Sequence, residues 1–165
     1  MQAIIAATSQ KNDFDDDSWT TNAAGVSHSY KYGFGVIDAA AAVAASKSWE
    51  NLEAEKQIMV ESGTVDVDIP DLADSQSGIL EVLTITEADV LASTGETELS
   101  MESVVVYLDI AHASRGDLQI ILTSPQGTKS ILAPGKRPEN TVSDTNMKLM
   151  TLRAWNESPV GTWSK

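Results

Sequence analysis

Cysteine is absent from the 165 residues. That excludes disulfide cross-links and thiol catalysis, and it leaves the redox compartment open. Basic residues are scarce: 11 lysines and arginines stand against 24 aspartates and glutamates, a formal net charge of -13. Binding to nucleic acid or to an anionic membrane runs on neutralising phosphate, so this balance disfavours both. It suits solubility, a calcium ion or a basic partner. No apolar run approaches the roughly 20 residues needed to cross a bilayer as a helix, and no internal repeat is apparent. What remains, 42% hydrophobic and 21% charged residues, is an ordinary globular composition. The length allows one substantial core, or one domain plus a remnant of another.

The strongest pattern runs from Val104 to Thr128. Val104, Val106, Leu108 and Ile110 fall on one face at period two, with Val105, Tyr107 and Asp109 on the other, and Leu118, Ile120 and Leu122 repeat the alternation. Between them lies a polar stretch in which Gly116 can supply the positive φ of a return turn, and Pro125 and Gly127 mark a second turn. The pattern predicts an antiparallel ladder of these two strands with one buried face, covered by a second sheet.

Before this, residues 3–9 read as the last turns of an apolar helix, followed by an acidic loop, Lys11 to Ser18. Ser27 to Phe34 reads as a short extended segment, with Gly33 and Gly35 flanking Phe34 where the backbone approaches something closely. The alanine-rich stretch Val36–Ala45 predicts a small-faced helix. A polar linker follows, and from Ile58 the period becomes that of strands: Met59–Ile69, Ile79–Thr86, the two central strands, Lys129–Ala133, Met147–Trp155 and Gly161–Lys165. Thr86 and Asp89 have the spacing of a capping box for one helical turn running into Val90 and Leu91. Pro134–Asn146 reads as a loop. Short strands at this spacing suggest a sandwich or jelly roll of two sheets.

Two stretches go beyond fold class. Trp19-x-x-Asn22-x-x-Gly25, then Val26-Ser27-His28-Ser29-Tyr30, Tyr32-Gly33-Phe34-Gly35 and Ile37-Asp38-Ala39, resembles the end of the catalytic domain in kexin, furin and related subtilisin-like proprotein convertases. Arg115-Gly116-Asp117-Leu118, Leu122-Thr123-Ser124-Pro125-x-Gly127-Thr128, Arg137-Pro138 and Trp155-x-Glu157-x-Pro159-x-Gly161-Thr162-Trp163 resembles the P domain that follows it. The motifs stand in the family's order at about its spacing. The resemblance implies a jelly-roll β-sandwich P domain over residues 53–165, preceded over residues 1–48 by a small α/β remnant of a subtilisin-like catalytic domain. It also implies a secreted or periplasmic endopeptidase as parent, with calcium in its catalytic domain. The family's Asp, His and Ser triad belongs to segments that would lie before residue 1, and no Gly-Thr-Ser nucleophile motif occurs. The segment is therefore expected to be inactive alone. The family's aromatic-rich stretch before the last Trp is replaced by Met147–Leu152.

Candidate site residues follow from both readings. His28 lies between two serines, but sequence neighbours on a strand point to opposite faces, so its expected role is a hydrogen bond at the domain boundary. His112 has no better case. Arg115-Gly116-Asp117 matches a peptide read by adhesion receptors, yet Gly116 can make a turn whose ends the flanking charges tie together. Asp13-x-Asp15-x-Asp17 has the alternating carboxylates of a calcium loop, with a solvated acidic loop as the alternative. Asp66 and Asp68 form a weaker pair. Trp19, Trp49, Trp155 and Trp163 could form a sugar-stacking platform, as in a carbohydrate-binding or adhesion module of jelly-roll fold, but their scatter favours core or domain-contact roles. His28, Tyr30, Phe34, Trp155 and Trp163 are the expected contacts to the parent's own catalytic domain. Asn156-Glu157-Ser158 is a glycosylation acceptor pattern in a eukaryotic secretory host. Surface that would have met the catalytic domain is expected to promote self-association.

Overall fold

In the computed structural model, which describes residues 1–65, 67–69, 78–112, 114–135 and 146–165, the chain divides into two units, Met1–Lys56 and Gln57–Lys165. Asp66, Pro70-Asp71, Ala113, Arg137-Pro138 and most of the Pro134–Asn146 loop lie outside the described residues.

The first unit is a small α/β arrangement. Helix α1 (Gln2–Thr8) packs against α2 (Ala39–Ser46), and strands β1 (Trp19–Thr21) and β2 (Ser27–Ser29) form an antiparallel pair. Helix α2 starts at Ala39, three residues later than the alanine pattern suggested. Asp38 adopts an extended N-cap conformation and its carboxylate accepts from the Ala41 amide at 2.8 Å. The two residues ahead of the cap are thereby kept extended, and Val36 bridges to Gln10 through amides at 2.8 and 2.9 Å. Gly35 makes that bridge possible. Its φ is +112°, and a Cβ built there would stand 2.2 Å from the Gln10 carbonyl oxygen.

The second unit is mainly β. Strands β3 (Val82–Ile85), β8 (Gly161–Ser164), β5 (Gln119–Thr123) and β6 (Lys129–Pro134) lie side by side in that order, and β4 (Val104–Asp109) pairs with β7 (Asn146–Thr151). All pairings are antiparallel. Leu108 of β4 and Met147 of β7 pack against Ile120 of β5 and Ala133 of β6, so the two ladders face each other across one core. A second cluster, Leu122, Ala154 and Trp163, extends it towards Ile85, Met101 and Val104. Between β3 and β4 lies α3 (Glu87–Thr94). Thr86 and Asp89 form the expected capping box, and the helix runs two turns to Gly95, with Val90 wholly buried.

Two expectations fail here. The central strands do not pair with each other, because a 3₁₀ turn at Arg115–Asp117 redirects the chain. Leu108 and Ile120 meet face to face across the core, where a shared ladder would have set them edge to edge. Gly116 is buried in that turn and has no positive φ. None of the described residues within Met59–Ile69 forms a strand, and Val65 and Val67 are about half exposed, at 49% and 57%. Alternation makes a strand only where a sheet edge accepts it.

Gly35→Ala is expected to lower the stability of the first unit by about 2 kcal/mol or more, since the new Cβ must displace backbone. Thermal or urea unfolding checks this, and an unchanged midpoint would refute the close approach.

Candidate functional site

The two P-domain stretches, about thirty residues apart, meet in space around one buried carboxylate. Glu157 is 2% exposed. Its Oε2 accepts from Ser124 Oγ at 2.6 Å and its Oε1 accepts from Thr128 Oγ1. Ser124 and Thr128 close the turn between β5 and β6: the Ser124 amide donates to the Thr128 carbonyl at 2.9 Å, and the Thr128 amide donates back to Ser124 Oγ at 3.1 Å. The Glu157 carbonyl accepts from the Met101 amide at 2.9 Å, and the Asn156 amide donates to the Met101 carbonyl at 2.8 Å. The Glu157 side chain thus joins its own turn to the 124–128 turn, and the 156–157 backbone joins it to Met101, ahead of β4.

Packing reinforces this polar joint. Gly161, at φ +127°, lies so close to the turn that a Cβ there would be 2.6 Å from Pro125 Cβ. Trp163 is buried in the core and its indole donates to the Pro159 carbonyl at 2.9 Å. Arg153, 5% exposed, donates from Nε to the Lys129 carbonyl at 3.1 Å, and Thr151 Oγ1 donates to Ser130 Oγ at 3.1 Å, fastening the end of β7 to the start of β6. Trp155 is buried as well.

In the first unit the motif residues do comparable work. Trp19 is buried, its indole donates to the Asn12 carbonyl at 2.8 Å, and its ring stacks on Tyr32 with centroids 5.9 Å apart. Asn22 closes the β1–β2 turn by accepting from the Val26 amide at 2.9 Å. Ser29 is wholly buried; its hydroxyl shares a hydrogen bond with Ser18 Oγ at 2.7 Å and accepts from the Lys31 and Tyr32 amides at 3.0 and 3.2 Å. His28, opposite Thr20, sets its ring edge-on to Phe34 at 5.3 Å. Tyr30 is half exposed and Phe34 half-buried.

In the acidic loop, Asp13 accepts from the Tyr32 hydroxyl at 2.8 Å, while Asp15 and Asp17 are exposed. The carboxylate that orders the loop is Asp16, outside the alternating set: it is paired with Lys31 and accepts from the Ser18 amide at 2.8 Å. The hydrogen bond from Lys31, helped by Ser18, lowers its pKa to about 2. Among the described residues no group of three or more His, Asp or Glu side chains is placed to hold a metal ion. The alternating carboxylates are therefore not gathered into a ligand set.

Nucleophilic chemistry has no assembled site among the described residues. Ser124 is hydrogen-bonded to a carboxylate without an intervening imidazole, and His112 Nδ1 is tied to the Ser114 backbone at 2.8 and 3.1 Å. Arg115-Gly116-Asp117 is not presented as a free loop, since Gly116 is buried. Trp19, Trp155 and Trp163 are buried and Trp49 is half-buried, so no exposed tryptophan platform forms. Glu157, Ser124 and Thr128 carried no assigned role in the sequence, although the hydroxyls flanking Pro125 and Gly127 were a signal for a carboxylate partner.

Residues 101–164 match the family described as proprotein convertase P-domain. The whole chain resembles "PC3-like endoprotease variant B" of Hydra vulgaris, at 35% identity over 99% of this chain and 22% of the relative. It also resembles "Furin-1" of Xenopus laevis, at 32% identity over 99% of this chain and 20% of the relative. The fold matches a serine protease of Aeromonas sobria with TM-score 0.74 at 22% identity, over 99% of this chain and 32% of that one. The second unit thus matches the proprotein convertase P-domain, and the whole chain is similar to kexin- and furin-like convertases. It spans about a fifth of the length of these two curated relatives.

Glu157→Ala is expected to cost the second unit about 3 kcal/mol, because Ser124 and Thr128 lose a buried charged acceptor. Urea unfolding followed at the tryptophans tests this; a loss under about 1 kcal/mol would show the joint to be dispensable. For Asp16 the sign is fixed by its lowered pKa: the pair with Lys31 stabilises the folded chain above pH 3.8 and loses that contribution as pH falls towards about 2. Asp16→Asn should reduce the midpoint at neutral pH and flatten its fall across that window.

Proposed function

We propose that this chain works without chemistry of its own, as the stabilising and regulatory P-domain portion of a secreted kexin- or furin-like serine endopeptidase whose catalytic domain hydrolyses peptide bonds. The supporting observation is the Glu157 joint. Ser124, Glu157 and Trp163, all within the P-domain motifs, turn inward and fasten strands together. Such a unit acts through its surface, and its partner in this reading is the parent's own catalytic domain. The jelly-roll topology belongs to the same reading. No helix among the described residues is long and apolar enough to cross a membrane.

The test compares the parent protease with a version truncated ahead of residue 53. Truncation is expected to shorten the half-life of peptidase activity at elevated temperature by about tenfold or more, whereas the chain alone should hydrolyse no peptide above buffer. Hydrolysis by the chain alone, or an unchanged half-life on truncation, would overturn the proposal. Melts of the chain with calcium and with chelator test Asp13, Asp15 and Asp17 as ligands: a calcium-dependent rise that Asp15→Asn removes would assign the ion to that loop.

A further inference from the structure

We draw no further inference here: the strongest candidate, the exposed apolar face that Val36, Ile37 and Val43 form at helix α2 of the first unit, adds nothing to the contact with the parent's catalytic domain already proposed, and nothing in the structure shows what else covers it.

Discussion

A carboxylate taken out of water must be repaid by donors, and that constraint organises the second unit. Glu157 accepts from two hydroxyls on one turn, and its own backbone ties to the residue leading into β4. Remove the charge and two buried hydroxyls lose their acceptor while the turn between β5 and β6 loses its anchor. The contact between Gly161 and Pro125 then matters more, because β8 begins at Gly161 and must pass the same turn before it can sit between β3 and β5. One polar joint and one steric fit set the order of the four-stranded sheet.

The first unit shows the same economy with neutral groups. Ser29 gathers the Lys31 and Tyr32 amides and the Ser18 hydroxyl, Asn22 closes a turn, and Gly35 lets two backbones approach. These are the residues on which the family resemblance rests. Each fills a geometric requirement that few side chains meet, and that requirement is scaffolding. Recognition of the family from such residues was therefore sound.

Alternation correctly placed Leu108, Ile120 and Leu122 inside and Val105 and Tyr107 outside, since side-chain direction in a strand is local. It could not say which strand neighbours which. That depends on how the 3₁₀ turn at Arg115–Asp117 redirects the chain, so the ladder joining the two central strands was misread. The capping box at Thr86 was legible, but the length of α3 was not, because the box marks only where the helix starts, and it ends at Gly95 in the left-handed conformation. In the acidic loop the carboxylate that orders the backbone is Asp16, selected by the reach of Lys31, and no alternation in sequence singles that residue out. Glu157 stood in a quoted motif without a role, since a partner more than thirty positions away leaves no local trace.

Each unit ties buried polar groups such as Ser29 and Glu157 internally and leaves apolar groups outside: Val36, Ile37 and Val43 in the first, Val105, Tyr107 and Met150 in the second. The strongly perturbed carboxyl, Asp16, is a loop anchor, and the buried one, Glu157, is a strut. In the proposed role, what the chain offers its partner is rigid shape and apolar area. Rigidity decides how much of that area becomes affinity, because a surface ordered in advance loses little conformational entropy on contact. The Glu157 joint supplies that order without itself being seen by any partner.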